Sequence, residues 1–234
     1  MVFEKLEKRI ILTGTVEAIT PLHVGSGKSE FEIGEVDMPI LTTPEGQPYI
    51  PGSSLKGRVR AEAERIARQK GMVVCYPPKV DNMCGSKGNI NALCICCRIF
   101  GTAGNVSVAS KVKFRDAYPL DTVGALLERT GIAIDRETGT VAKGAFYTIQ
   151  AVPAGARFGL EIVAENLSED ELKLLKAALK SVEDSALGGS SSRGFGKVRI
   201  TISKVSVRTA GYYLGEEGEQ VLEGEALKRW LLDF

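Results

Sequence analysis

The sequence predicts an α+β fold whose elements follow the order β-α-β-β-α-β. Three observations predict it. Runs rich in β-branched residues lie near both ends and in the middle of the chain, two stretches carry helical apolar periodicity, and glycine-containing loops separate them. With 234 residues and 44% apolar content the chain has ample material for a packed core, so we expect a single domain over residues 1–234 interrupted by two insertions.

RIILTGTVEAI, Arg9 to Ile19, alternates around Thr13 to Val16 and reads as the first strand. PLHVGSGKS follows as a loop. In PGSSLKGRVRAEAERIARQK, Ser53 or Ser54 is the expected N-cap, and Leu55, Val59, Ala63, Ile66 and Ala67 share one helical face opposite a basic side. VSVASKVKF, Val106 to Phe114, is the second expected strand. Residues 116–154 form a protruding hairpin with its turn at Glu137, Thr138 and Gly139. RFGLEIVA, Arg157 to Ala164, is a third strand. Ser168 and Glu171 then have capping-box spacing ahead of a stripe of Leu172, Leu175, Leu179 and Val182. KVRITISKVSV, Lys197 to Val207, is the last strand, and EGEALKRWLL adds a short helix. This order is the ferredoxin-like pattern shared by RRM-type RNA binders. The usual RRM aromatics are absent, so base stacking on the sheet is not expected.

Thirty basic and twenty-nine acidic residues nearly cancel, but they are segregated. Pro51 to Lys70 holds six basic and two acidic residues, Lys79 to Arg115 six and one, and Ala186 to Arg208 five and none. Glu161 to Asp184 and the C-terminal segment from Gly215 are acidic. Segregation of this kind marks a face for a polyanion, although a solvated surface produces it too. No apolar stretch is long enough to span a bilayer and the N-terminus lacks a signal-like apolar core, so a cytoplasmic protein without membrane contact is expected.

Five cysteines lie between Cys75 and Cys97. Cys94 and Cys97 form C-x-x-C, which sets two thiolates on one tetrahedral metal, and Cys75 and Cys84 complete four sulfurs, with Cys96 to spare. A redox C-x-x-C belongs at a helix start in a thioredoxin-like unit, which is missing here. Structural zinc stapling the insertion 71–104 is therefore expected. LGGSSSRGFGKVRI, Leu187 to Ile200, is a glycine-rich loop before a strand, where neither a P-loop nor a dinucleotide motif belongs. Its glycines let backbone N–H groups approach an anion, with Arg193 and Lys197 supplying charge, while a mobile joint has the same composition. Phe195 either anchors the loop inward or stacks on a base.

LHVGSG, IPGSSLKGRVR, CxxCRIFG and RGFGKV occur in one order along nearly the whole chain. Together they resemble the RAMP superfamily of CRISPR-associated proteins, and most closely the repeating backbone subunit of type III, Csm-type effector complexes. The resemblance implies a subunit that stacks with copies of itself and with other effector subunits along a guide RNA (crRNA), and pairs it with target RNA. It places phosphate contacts on Ser53, Ser54, Lys56 and Arg58 and on Gly189, Ser191, Arg193, Gly194 and Lys197. It makes the hairpin a thumb that distorts the guide–target duplex, with Ile132, Ile134 and Arg136 as wedging or backbone contacts. Within FEIGEVDMPI, the acidic cluster Glu32, Glu35 and Asp37 includes one aspartate, Asp37, that matches the family's loop aspartate for metal-dependent cleavage. Magnesium or another divalent cation held there would assist attack of a ribose 2′-OH. His23 has no visible catalytic partner and is expected in a structural or RNA-contact role; it is also an alternative zinc ligand. A non-catalytic guide-binding subunit, or a repeat-RNA endonuclease using His23 as acid or base, are the alternatives.

Overall fold

The computed structural model describes residues 4–27 and 36–232; Glu32 and Glu35 lie outside the described residues. The elements are β1 (Arg9–Ala18), α1 (Gly52–Gln69), α2 (Ile95–Phe100), β2 (Val112–Phe114), β3 (Leu127–Ile134), β4 (Val141–Ala151), β5 (Arg157–Glu165), α3 (Glu169–Asp184), β6 (Val198–Arg208), α4 (Ala210–Leu214), β7 (Gln220–Leu222) and α5 (Gly224–Leu232). Five strands form an antiparallel sheet in the order β2-β5-β1-β6-β7, and β3 and β4 form a separate two-stranded sheet.

Alternation along β1 decides which face is covered. Ile10, Leu12, Val16 and Ala18 are buried, while Arg9, Thr13 and Glu17 turn to the other side. The buried set joins Leu55 and Val59 of α1, Phe158, Leu160 and Ile162 of β5, and Leu175 and Val182 of α3 in one core. Burying each large aliphatic or aromatic side chain stabilises by about 1.5–3 kcal/mol. α3 begins with the expected capping box, Ser168 accepting from the Glu171 N–H and Glu171 from the Ser168 N–H. None of the described helices is long and apolar enough to cross a membrane.

Three expectations require correction. The second strand covers only Val112–Phe114, not 106–114. Val108 instead bridges Thr102, and Ser110 Oγ donates to the Val112 carbonyl at 2.6 Å with the Ile99 carbonyl also in reach at 3.2 Å, so residues 106–111 close the cysteine-rich insertion. The N-cap of α1 is Pro51, not Ser53 or Ser54, and neither serine caps the helix; the Gly52 N–H donates to Asp116 Oδ1 at 2.7 Å, a carboxylate brought from a distant segment. Nor are the arginines of α1 free cations, although Arg65 stays largely exposed. Buried Glu62 pairs with Arg58 and Arg65, and buried Glu64 with Arg60 and Arg68. Sequence reading did not anticipate α2, α4 or β7.

Candidate functional site

The hairpin β3–β4 is fastened at its root by two chain segments, which are also bridged to each other. Leu22 bridges Val152, Met38 bridges Ile149 in parallel, and Gly25 bridges Ile40. Asp37 sits at this junction, half-buried. Its Oδ2 accepts from the Thr148 N–H at 2.6 Å and from Thr148 Oγ1 at 3.0 Å. Oδ1 has no hydrogen-bond partner among the described residues. The expected loop aspartate therefore lies on a loop that is tied to the hairpin.

Register fixes what shares its face. Residues directly opposite in antiparallel strands, and those two apart, point to the same side. Ile132 opposes Phe146 and Thr130 opposes Thr148, so Ile132 and Phe146 stand on the Asp37 side. Both are exposed, at 53% and 67%, and Ile134 is 57% exposed. Arg136 is exposed in the turn, which Asp135 closes by accepting from the N–H groups of Glu137 and Thr138. The opposite face carries Arg129, Tyr147 and Ile149.

The glycine-rich loop packs on that opposite face. Phe195 is buried against Ile149, Ala151 and Tyr147, the inward of its two expected roles. Arg129 lies over the Phe195 ring at 4.6 Å and Arg193 over the Tyr147 ring at 5.2 Å. The backbone is also tied down: the Gly196 N–H donates to the Pro21 carbonyl, the Gly189 N–H to the His23 carbonyl and the Leu187 N–H to the Gly196 carbonyl. Glycine is required at two points. A Cβ on Gly188 would lie 2.2 Å from the His23 carbonyl oxygen, and one on Gly196 2.2 Å from that of Leu187, both at positive φ. These ties fix the two ends of the loop. Gly189, Ser191, Arg193, Gly194 and Lys197 remain exposed on the outer surface.

His23 is buried beneath Gly189. Its Nδ1 lies 2.7 Å from the Gln150 carbonyl, which can only accept, so Nδ1 carries the proton. Ser53 is exposed and Ser54 half-exposed in the first turn of α1. Lys56 is half-buried, and burial together with the Arg60 charge lowers its pKa. Arg58 is 3.0 Å from Glu62. Among the described residues no hydrogen bond or ion pair joins these four to the glycine-rich loop.

The four expected cysteines converge. The sulfurs of Cys75, Cys84, Cys94 and Cys97 all lie within 4.8 Å of one another and are buried. Four thiolates on one tetrahedral zinc stand about 3.8 Å apart, given bonds of about 2.3 Å, so the set fits such an ion. Backbone N–H groups already point at sulfur, from Cys94 to Cys84 Sγ and from Cys97 to Cys94 Sγ. Hydrogen bonding from Cys97 brings the Cys94 pKa down to about 4, while the Cys97 thiol shifts up. Cys96 is fully buried, and burial pushes its thiol up to about 12, as suits a spare core residue. His23 is not in the cluster.

Sequence reading missed Thr148, Gln150, Tyr147 and Arg129. The alternation in AFYTIQA, residues 145–151, held the signal for two differently employed faces.

An antiparallel sheet backed by two helices, with a four-cysteine insertion and an exposed hairpin rooted beside a carboxylate and a basic loop, defines a mixed α/β protein. The model of the RAMP superfamily matches residues 15–199. The chain is 33% identical over 231 residues to the CRISPR system Cms endoribonuclease Csm3 of Methanocaldococcus jannaschii, covering 92% of this chain and 88% of that one. It is 31% identical over 244 residues to the protein of the same name from Methanothermobacter thermautotrophicus, covering 93% and 94%. Its structure matches a chain in the crystal structure of the Csm3–Csm4 subcomplex of the type III-A CRISPR-Cas interference complex with a TM-score of 0.59, at 26% identity over 98% of this chain and 97% of that one. The chain belongs to the RAMP superfamily.

Proposed function

We propose that this chain is a backbone subunit of a type III CRISPR ribonucleoprotein, which holds guide RNA by its phosphates and cuts paired target RNA. The observation that carries this reading is the Asp37–Thr148 link, which puts a carboxylate at the root of an exposed hairpin, on the side bearing Ile132 and Phe146. The relatives named as endoribonucleases support it. The core is taken as ferredoxin-like and the chain as one domain with insertions at 71–104 and 116–154, the second a thumb. Its partners are guide RNA, target RNA, copies of itself and other effector subunits, in the cytoplasm.

Asp37 Oδ1 is the atom that would hold magnesium or a similar cation. Such a cation, when bound, stabilises charge developing on the scissile phosphate and eases deprotonation of the attacking 2′-OH. Thr148 fixes the carboxylate, so that Oδ1 is presented in one direction. Ile132, Ile134 and Arg136 meet the duplex, and Phe146 belongs with them. Lys56 and Arg58, with Ser53 and Ser54, and the outer surface of the loop from Gly189 to Lys197 contact phosphate. His23 supports the loop from below. Cys75, Cys84, Cys94 and Cys97 hold structural zinc.

In the assembled complex, Asp37→Ala should abolish metal-dependent cutting at regular intervals while guide RNA still copurifies. Unchanged cutting would remove Asp37 from the chemistry. Changing Arg193 and Lys197 together to alanine should weaken binding of unrelated RNA sequences alike and lower the salt slope by about 0.7 for each single-strand phosphate that no longer meets a cation.

A further inference from the structure

Arg60 stands on α1 among residues expected to face solvent or phosphate, yet all three of its guanidinium nitrogens are engaged inside the protein. Nε donates to Glu64 Oε1 at 2.8 Å, Nη1 to the Gly101 carbonyl at 3.1 Å, and Nη2 points at Cys97 Sγ at 3.7 Å. The side chain is only 17% exposed. Gly101 follows α2, the short helix that carries Cys97. Arg60 thus grips both the sulfur and the carbonyl end of the element presenting it, while Glu64 holds the guanidinium in place.

Chemistry gives this arrangement a purpose. Four thiolates around a dication carry two net negative charges, and burying them requires compensation by nearby cations or hydrogen-bond donors. A guanidinium is suited to that role because it stays charged when enclosed and its donors are fixed in a plane.

We infer that Arg60 is a positioning residue of the cysteine centre: it offsets sulfur charge and orients Cys97, and is not a phosphate ligand of α1. The inference rests on the reading that the four cysteines hold a metal.

Cobalt(II) provides the test, since bound thiolates give it a sulfur-to-metal charge-transfer band. Full-length wild type, Arg60→Lys and Arg60→Met would be loaded and compared in chelator competition and by absorption. Arg60→Met should lose about 10–100-fold in metal affinity. Its band should move to longer wavelength, because a sulfur deprived of a hydrogen bond and a neighbouring cation gives up electron density more easily. Arg60→Lys, which keeps the charge and loses the fork, should fall between. Glu64→Gln, which keeps Arg60 but weakens its anchor, should shift the band in the same direction by less, and serves if Arg60→Met does not fold. A residue that merely packed would change thermal stability and leave the band in place. Identical affinity and band position in all four proteins would overturn the role of Arg60 and spare the metal reading. Wild-type protein lacking a tetrahedral cobalt spectrum would overturn both.

Discussion

The cysteine-rich insertion, residues 71–104, and the glycine-rich loop, residues 187–197, are two poorly regular parts of the described chain, held by different means. The insertion contains three isolated 3-10 turns and one short helix, and four buried sulfurs converge inside it. The loop has a single 3-10 turn and is held by one aromatic ring, by glycines at positive φ and by main-chain hydrogen bonds to Pro21 and His23. Irregular backbone, in both places, needs a fixative from outside itself. Where the fixative is a bonded centre its removal should be all-or-none in effect, and where it is distributed packing the effect should be graded.

The largest expected effect tests the bonded side. If the four cysteines hold zinc as proposed, Cys97→Ser or chelation removes a contribution that reaches about 10–16 kcal/mol in structural zinc sites. Amide protection across 71–104 should collapse while that of 187–197 persists; equal collapse in both would show one cooperative unit and end the contrast. Phe195→Ala should cost about 3–5 kcal/mol of local stability, seen as faster exchange in the loop and at Ile149 with metal content unchanged. Next, Gly196→Ala forces a side chain into a positive φ against the Leu187 carbonyl and should cost at least ~2 kcal/mol, of which the backbone conformation alone supplies about 1–2. A chemical denaturation midpoint equal to wild type would show that the loop yields freely. The smallest effect belongs to Arg193→Ala, which removes a surface cation–π interaction worth about 0.5–1 kcal/mol. Denaturation should barely register it, whereas RNA binding should respond.

Much of the fold was legible because its signals are local. The alternation of β1 and β6 and the Ser168–Glu171 box are written within a few neighbouring residues. The four cysteines were legible because thiolate chemistry tolerates few other arrangements. What escaped depends on partners distant in sequence. Asp116 caps α1 across 64 residues, so Ser53 and Ser54 looked like the cap. Glu62 and Glu64 are only two acids among five bases on α1, but burial lets each hold two arginines, so a count of charges overstated the free cations. Asp37 meets Thr148 across 111 residues, and no local pattern announces that bond.

That bond has a mechanical consequence. Segment 36–40 pairs with β4 through the Met38 N–H to the Thr148 carbonyl and the Gln150 N–H to the Met38 carbonyl, at 3.0 Å each. The carboxylate is thereby mounted on the hairpin itself. Thr148 and Phe146 are two residues apart on one strand, a separation of about 7 Å set by the pleat. If the hairpin tilts as it meets a ligand, Asp37 tilts with it, and the offset between the apolar residues and the carboxylate is preserved like the spacing of two teeth on one comb.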